Sequence, residues 1–314
     1  MTLASPHTVA AANAALSAAA PQDLSRDAAY LPVSRRHRAA RLIGGTFNTV
    51  ARFSPAYAAK RLNRWVWCRP PKYRLRPDDA AVLTLSECTH VPFGRGQLPV
   101  YTWGHGSRVV LLVHGWGGAA AQMAHLAPAL VEAGYRVVAF DAPAHGAAPG
   151  TRTDFPEITE AVLAVARAVG PVQAVACHSA GSVAVLRALR QGLAIDRLVL
   201  LSVFSQLRLP LAAMASMLGL SPGVQAAHVS LLGTLYGPRF IEDYSPEHLV
   251  EGLRVPGLIV HDRDDREFGA ANATWLAGRW PGARLHFTDG LGHYRLLKDP
   301  QVARRVADFV RDAA

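Results

Sequence analysis

From residue 81 onward, short runs of apolar and often β-branched residues alternate with segments whose apolar positions have helical spacing. Such alternation is typical of a mostly parallel sheet covered by helices. It predicts helices near residues 121–133, 156–169, 180–191, 270–279 and 300–312. The pattern also predicts eight strands, at residues 81–87, 98–103, 109–113, 136–140, 172–177, 197–201, 257–261 and 284–287. We therefore expect an α/β fold with an open, eight-stranded, mostly parallel sheet flanked by helices.

Two connections differ from a simple strand-to-strand crossover. Gly94-Arg95-Gly96 separates the first two predicted strands and is typical of a turn between antiparallel strands. More than fifty residues separate the strands that end at residue 201 and begin at residue 257, with apolar helical stretches near 211–218 and 224–235. Insertions of this length usually carry function. We expect a helical lid at about residues 203–250, inserted into a domain that spans residues 81–314.

The net charge of +10 is concentrated near the N-terminus. Residues 1–80 carry +9, which leaves only +1 for residues 81–314. Residues 35–76 contain twelve Lys and Arg and no Asp or Glu. Because Ile43, Phe47 and Phe53 fall near helical spacing in this segment, we predict a basic amphipathic arm at residues 35–80. An Ala-rich tail at residues 1–34, predicted to be flexible, precedes it.

Two interpretations of the arm are open. Its apolar residues could pack on the folded domain or the lid while the basic side chains face water. Alternatively, the arm could be attracted to an anionic membrane surface. No nucleic-acid-binding module accompanies the basic residues, so we expect no nucleic-acid partner.

Several features favour a cytoplasmic protein. No window contains the roughly 18 uninterrupted apolar residues that a membrane-spanning helix needs. The N-terminus has no Lys or Arg ahead of its apolar stretch and is a poor secretory signal. Cys68, Cys88 and Cys177 cannot all pair and show no C-x-x-C spacing, which suits a reducing compartment.

The sequence around Ser179 has the form of a nucleophile elbow. A predicted strand at 172–177 runs into Cys177-His178-Ser179-Ala180-Gly181 and then into a predicted helix. A serine on such a sharp turn projects above the sheet, and the residues two before and two after it must be small. Cys177 replaces the glycine that is usual in the first position, but cysteine is also small. The pattern therefore predicts Ser179 as a nucleophile.

A glycine-rich turn, Gly115-Trp116-Gly117-Gly118, follows the predicted strand at 109–113. A turn in this position can supply one backbone N–H to an oxyanion hole, and the residue after the nucleophile supplies the other. We predict that the backbone amides of Trp116 and Ala180 are the two donors of the oxyanion hole. His114 is expected to brace this turn through hydrogen bonds, and His178 is expected to be an outward-facing spacer.

Three motifs together resemble the α/β-hydrolase superfamily: HGWGG at 114–118, DAPAHG at 141–146 and CHSAG at 177–181. The resemblance covers roughly residues 81–314 and implies a triad in the chain order Ser, Asp, His. The acid loop then corresponds to residues 262–268, where the register selects Asp265 and leaves Asp264 as the alternative. The base loop corresponds to Leu291-Gly292-His293-Tyr294, which makes His293 the general base.

This resemblance implies a carboxylesterase-like serine hydrolase with an acyl ester substrate and no cofactor. A thioesterase, amidase or peptidase could use the same triad, because the lid rather than the triad determines the substrate. A non-enzymatic binding protein that keeps the fold is the alternative from another class. The sequence contains no H-E-x-x-H, clustered Cys/His or G-x-x-x-x-G-K-[ST] motif, so we predict no metal site.

Overall fold

A computed structural model describes residues 35–311 of the chain, with side chains from residue 38 onward. The predicted tail at residues 1–34 therefore lies outside the described residues. Eight strands form one sheet in the order β1-β2-β4-β3-β5-β6-β7-β8. The first two strands form an antiparallel hairpin, β2 also pairs antiparallel with β4, and β3 to β8 pair in parallel. The strands are β1 Glu87–Phe93, β2 Gly96–Trp103, β3 Val109–Val113, β4 Arg136–Phe140, β5 Val172–His178, β6 Arg197–Leu201, β7 Gly257–Asp262 and β8 Ala283–Thr288.

The predicted fold class is confirmed, but the first predicted strand is wrong. Residues 81–87 do not form a strand, because residues 81–83 end a helix, Pro77–Leu83, and only Glu87 lies in the first strand. Pro77 and two aspartates in the first turn are helix-start signals that the hydrophobic run obscured. The true first strand lies next to the turn at Gly94, as a two-residue hairpin connection requires.

Helices cover both faces of the sheet, and the side chains of strand β3 pack into the core on each face. Its side chains alternate, so that Val109, Leu111 and Val113 enter one core cluster while Val110 and Leu112 enter the other. Because both faces of β3 are buried, its sequence is a continuous apolar run rather than an alternating one. The covering helices are α4 Ala120–Met123, α5 Ala127–Glu132, α6 Phe155–Val169, α7 Ala180–Arg190, α12 Ala271–Ala277 and α14 Pro300–Arg311.

The long connection between β6 and β7 is helical. Its helices are α8 Arg208–Leu218, α9 Pro222–Tyr236, α10 Phe240–Asp243 and α11 Pro246–Leu249. Together they lie over the end of the sheet at which the parallel strands finish. One face of α8 and the start of α9 form a small core of their own with the N-terminal helices.

The N-terminal arm is helical as well. Its helices are α1 Arg35–Ala51, α2 Pro55–Leu62, which continues as a π-helical segment Asn63–Trp67, and α3 Pro77–Leu83. The helix α3 crosses the predicted boundary between residues 80 and 81. Of the three apolar residues predicted to pack inward, only Phe47 is buried, whereas Ile43 is 50% and Phe53 is 88% exposed. That part of the packing prediction is wrong.

A last helical turn, α13 Gly292–Arg295, follows β8. Within residues 35–311, none of the helices combines the length and the apolar character that a bilayer-spanning segment requires.

Candidate active site

Ser179 lies on the tight turn between β5 and α7, with φ +49° and ψ −121°. A positive φ in a non-glycine residue costs about 1–3 kcal/mol and persists only where the surroundings enforce it. Gly181 shows what enforces the turn here, because a Cβ at that position would lie 2.5 Å from the His114 carbonyl oxygen. Strand β3 and helix α7 nearly touch at this point. The sequence pattern therefore reflects real steric contact.

Cys177 occupies the elbow position that usually holds glycine. Its side chain is completely buried in the core, and its Sγ lies 3.4 Å from the Val199 carbonyl oxygen. Burial raises the pKa of the Cys177 thiol to about 12. Cys177 therefore remains a neutral packing residue, and Ser179 is the nucleophilic side chain that the turn presents.

The structure brings Ser179, His293 and Asp265 together. His293 Nε2 lies 3.1 Å from Ser179 Oγ, and His293 Nδ1 lies 2.7 Å from Asp265 Oδ2. Ser179 follows β5, Asp265 follows β7, and His293 lies on the helical turn after β8, so each comes from the carboxyl end of a parallel strand. All three are buried. This is the geometry of a nucleophile, a base and an orienting acid.

The acid loop contains three aspartates with different contacts. Asp265 Oδ1 accepts hydrogen bonds from the amides of Glu267 and Phe268, which leaves Oδ2 directed at His293. Asp264 Oδ2 instead accepts from the Gly290 amide at 2.9 Å. Asp262 accepts from Thr288 Oγ1 and from nearby amides, and so ties the acid loop to the base loop. The register therefore places Asp265, rather than the alternative Asp264, against the histidine.

Electrostatic interactions at this site favour an ion pair. Burial opposes ionisation of both partners, yet hydrogen bonding to the imidazole holds the pKa of Asp265 below its usual value. Burial likewise disfavours protonated His293, but the hydrogen bond to Asp265 and the nearby charge of Glu267 outweigh it and raise the His293 pKa. A base with a raised pKa accepts the serine proton more readily. The same field stabilises the imidazolium that forms when it does.

The glycine-rich turn lies beside Ser179. The Gly118 amide donates to the Gly115 carbonyl at 3.0 Å, and Gly117 takes φ +69°, a conformation that favours glycine. Trp116 occupies the second position of this turn and lines the same cavity as Ser179 and Ala180. Ala180 is the first residue of α7, where backbone N–H groups have no acceptor within the helix. Both predicted oxyanion donors therefore border the nucleophile.

Two neighbouring histidines have structural contacts. The Ala142 amide donates to His114 Nε2 at 3.1 Å, so Nδ1 carries the proton and donates to the Gly115 carbonyl at 2.7 Å. His114 thus braces the oxyanion turn, and its burial lowers its pKa to about 4. His178 is buried, contrary to the predicted outward-facing spacer, although it also lines the Ser179 cavity. Its Nε2 lies 2.9 Å from the His293 carbonyl oxygen, so it supports the base loop.

Ser179 lies in a cavity of about 560 Å³ with a mainly apolar lining. The sheet domain and the lid both contribute side chains to it, among them Trp116, Phe155, Phe204, Met214 and Phe268. The arm contributes Val66, Trp67, Arg69 and Pro71. Sequence reasoning missed this contribution, although the aromatic pair at Trp65 and Trp67 in an otherwise basic segment was a signal of it.

Glu267 is a second residue that sequence reasoning missed. Its carboxylate lies in the cavity wall with Oε2 3.6 Å from His293 Nε2, on the side of the ring that faces Ser179. The side chain is 38% exposed and therefore accessible from the cavity. In the sequence it was hidden within a run of charged residues. A carboxylate in this place can act on the base or on a cationic group of a substrate.

The comparisons with known proteins agree with the fold. The sequence matches the serine aminopeptidase family S33 over residues 104–240, which include the oxyanion turn and the elbow but end before the acid and base loops. No curated protein matches the chain.

Many solved structures share the fold. One is an esterase from Exiguobacterium antarcticum, with a TM-score of 0.57 and 18% identity over 72% of this chain and 100% of that chain. A second is a meta-cleavage product hydrolase from Pseudomonas fluorescens, with a TM-score of 0.54 and 17% identity over 70% of this chain and 96% of that chain. A third is the thioesterase domain of the curacin biosynthetic pathway, with a TM-score of 0.55 and 18% identity over 72% and 99%.

Fold, motifs and family match lead to one classification. The chain has the α/β-hydrolase fold, as the motifs at 114–118, 141–146 and 177–181 predicted. Over residues 104–240 it is similar to a family of serine hydrolases.

Proposed function

We propose that this protein is a serine hydrolase that cleaves carboxylic esters through an acyl-enzyme intermediate. The observation that carries the proposal is the continuous hydrogen-bonded line from Ser179 through His293 to Asp265 at the edge of an apolar cavity. An ordered line of this kind activates a serine that is otherwise a weak nucleophile.

Acylation follows from the contacts of the imidazole. Ser179 Oγ attacks the substrate carbonyl while His293 Nε2, 3.1 Å away, takes its proton. Asp265 keeps the other ring nitrogen protonated and stabilises the imidazolium. The amides of Trp116 and Ala180 donate to the oxyanion of the tetrahedral intermediate. His293 then returns the proton to the leaving alcohol as the carbon–oxygen bond breaks.

Deacylation repeats the same proton transfers with water. His293 removes a proton from a water molecule, whose oxygen attacks the acyl carbonyl of the Ser179 ester. Collapse of the second tetrahedral intermediate releases the carboxylic acid and restores the serine hydroxyl. The apolar lining of the cavity favours an alkyl or aryl acyl group over a charged one, because burial of apolar surface contributes about 25 cal/mol per Å².

Two measurements on purified protein test the proposal. We expect hydrolysis of short p-nitrophenyl esters and covalent labelling of Ser179 by a fluorophosphonate probe, located by peptide mass spectrometry. Ser179→Ala should abolish both signals, whereas Ser216→Ala, an exposed serine on the lid helix α8, should retain them. Protein that is folded by circular dichroism yet gives neither hydrolysis nor labelling would reject the proposal and favour the non-enzymatic alternative.

A second candidate function is aminopeptidase activity. The matched family is described as serine aminopeptidase, and Glu267 places a carboxylate in the cavity near His293 where it could pair with a substrate ammonium group. Amino-acid p-nitroanilides test this candidate against matched p-nitrophenyl esters and thioesters. If the ammonium is recognised, Glu267→Gln should raise KM for the anilides much more than for the uncharged esters. Faster turnover of thioesters than of esters would instead support the thioesterase alternative.

A further inference from the structure

The arm is held firmly against the lid by its inner face. On α1, Phe47 is buried with Leu218 of the lid helix α8. Asn48 donates through Nδ2 to the Gly219 carbonyl at 2.9 Å and accepts at Oδ1 from the Ser221 amide at 2.8 Å. These contacts account for the inner face of α1. They leave its outer face without an explanation.

That outer face is apolar as well as basic. Six of the ten large apolar side chains that are exposed among the described residues lie in the arm, although it is a small fraction of the chain. Phe53 is 88% exposed and Leu42 is 75% exposed. A soluble surface rarely concentrates large apolar side chains in this way unless they contact a partner. The six residues are Leu42, Ile43, Phe53, Tyr57, Trp65 and Leu75.

The helical spacing along α2 and its π-helical continuation separates the two faces. Ala58, Ala59 and Leu62 are buried, and the exposed residues on the opposite side of the helix form an outward stripe. The stripe combines aromatic and basic side chains, with the Arg61 guanidinium 4.8 Å from the centre of the Tyr57 ring. Its members are Tyr57, Lys60, Arg61, Arg64 and Trp65, all exposed. Aromatic rings beside basic groups are the composition of an interfacial, membrane-binding surface.

Over residues 35–76, the charge of the arm is of one sign. Every formally charged residue from 35 to 76 is Lys or Arg, and the rest of the chain beyond residue 80 is nearly neutral. Each basic residue close to an anionic bilayer contributes about 1 kcal/mol of attraction. A surface with exposed aromatics and a uniformly positive field is therefore complementary to anionic lipid. It has no acidic residues to pair with the basic side chains of a second copy of the arm.

The stripe ends at the candidate active site. The Arg69 guanidinium lies 6.0 Å from the centre of the Trp65 ring, and Arg69 also lines the Ser179 cavity. From the lid, Met217 is 37% exposed and lines the same cavity. The outer face of the arm thus continues into the wall of the cavity rather than lying on a remote part of the molecule.

We propose that the outer face of the arm, from Leu42 through Trp65, binds anionic lipid bilayers and turns the mouth of the Ser179 cavity toward the membrane. Binding itself does not depend on catalysis. The part of the proposal that concerns the cavity rests on the proposed esterase function and directs it toward esters with a lipid-like acyl chain. Such a chain can pass from the bilayer into an apolar cavity without crossing water.

Vesicle flotation with the full-length Ser179→Ala protein tests binding without hydrolysis. Vesicles of phosphatidylcholine with 30% phosphatidylglycerol should bind at least tenfold more protein than vesicles of phosphatidylcholine alone in about 0.1 M salt. Binding should fall severalfold in about 0.5 M salt because screening shortens the range of the attraction. Equal binding to the two vesicle types would overturn the proposal.

Matched variants locate the binding surface. Replacing Arg52, Arg61 and Arg64 with Gln should lower binding at least tenfold, whereas replacing Arg95, Arg304 and Arg305 changes the net charge equally and should lower it less than twofold. Phe53→Ser with Trp65→Ser should also weaken binding, and Leu85→Ser, an exposed apolar residue beyond the arm, should not.

Three other outcomes would reject the proposal. Equal losses of vesicle binding in the two triple-arginine variants would show only a general effect of charge. Loss of binding on deletion of residues 1–34 alone would assign it to the tail. A third outcome is that the protein does not bind vesicles but dimerises in sedimentation velocity, and that the Phe53 and Trp65 changes abolish the dimer. It would assign the surface to a second copy of the chain. Ester hydrolysis by the wild-type protein, measured on soluble substrates, tests the proposed function separately.

Discussion

At the scale of single residues, the loop backbone determines which carboxylate serves His293. The amides of Glu267 and Phe268 fix one oxygen of Asp265, and the other oxygen faces the imidazole. We predict that Asp265→Asn lowers kcat for an ester by about 10³- to 10⁴-fold, because the amide cannot hold the required tautomer. Steady-state kinetics on a p-nitrophenyl ester measure the effect.

Asp264→Asn is the matched control for this prediction. Asp264 contacts the Gly290 amide and not the histidine, so its replacement should cost less than tenfold in kcat. Thermal unfolding followed by circular dichroism would show that both variants remain folded. A larger loss of kcat in Asp264→Asn than in Asp265→Asn would show that the acid has been assigned to the wrong aspartate.

Glu267 gives a prediction for the dependence on pH. His293 must be neutral to act as a base, so kcat/KM falls on the acid side as the imidazole becomes protonated. Burial lowers the His293 pKa, whereas Asp265 and Glu267 raise it, and the net shift is upward from 6.5. Glu267→Gln removes one of the raising charges and should move the acid limb of kcat/KM to lower pH. Glu251→Gln, which lies outside the cavity, should leave the limb in place. An unchanged limb in Glu267→Gln would mean that this carboxylate does not act on the base.

At the scale of secondary-structure elements, the contact between α1 and the lid helix α8 requires a glycine. A Cβ at Gly44 would overlap the Leu218 carbonyl oxygen, whereas a Cβ at Gly45 would meet nothing within 4 Å. Alanine adds about 1 kcal/mol of helix propensity at either position. At Gly44, overpacking should outweigh this gain by about 1–2 kcal/mol.

Urea unfolding therefore should rank Gly45→Ala above wild type and Gly44→Ala below it in free energy of unfolding. Because the helix-propensity gain is shared, the difference between the two variants isolates the steric contact of arm and lid. Equal stabilities would show that α1 can move away from α8 without cost.

The elements also show how far the sequence could be interpreted. The strands from β3 to β7 were predictable because each is largely a buried apolar run bounded by turn residues. The elbow at Ser179 was predictable because Gly181 is sterically required. The segment at 81–87 was not, since an apolar run of this length fits a helix or a strand and Pro77 lay outside the run.

The contribution of the arm to the cavity was not predicted for a different reason. Val66 and Trp67 line the Ser179 cavity only because the arm packs against the lid, and no local pattern in the sequence predicts that packing. The roles of Asp265 and Asp264 were likewise separated only by register, until their hydrogen bonds distinguished them. Local patterns predict elements and motifs, whereas contacts between distant segments determine the shape of the cavity.

At the scale of the whole molecule, a partly buried ion-pair network joins the arm to the C-terminal part of the chain. Lys298 Nζ lies 2.5 Å from both Asp78 Oδ2 and Asp79 Oδ1, across a separation of about two hundred residues in sequence. Asp79 is fully buried and also accepts hydrogen bonds from Tyr73 and His125. The helix α3 is thereby held against the domain, which fixes where the arm leaves it.

Lys298→Met gives the final prediction, because it leaves the Asp79 carboxylate buried without its main partner. We expect the free energy of unfolding at pH 7 to fall by about 3 kcal/mol in urea titrations. Lys72→Met, at an exposed lysine, should change the free energy of unfolding by less than about 0.5 kcal/mol.

The same network gives the prediction a pH dependence. Burial disfavours the ionised form of Asp79, but hydrogen bonds from Lys298, Tyr73 and His125 outweigh burial and hold the pKa of Asp79 below its usual value. A depressed carboxyl pKa stabilises the fold above about pH 4, and this contribution is lost as the pH falls through the folded-state value. The difference in free energy of unfolding between wild type and Lys298→Met should therefore become smaller below pH 4. A difference that stayed constant from pH 7 to pH 3 would show that Lys298 stabilises the protein by packing alone.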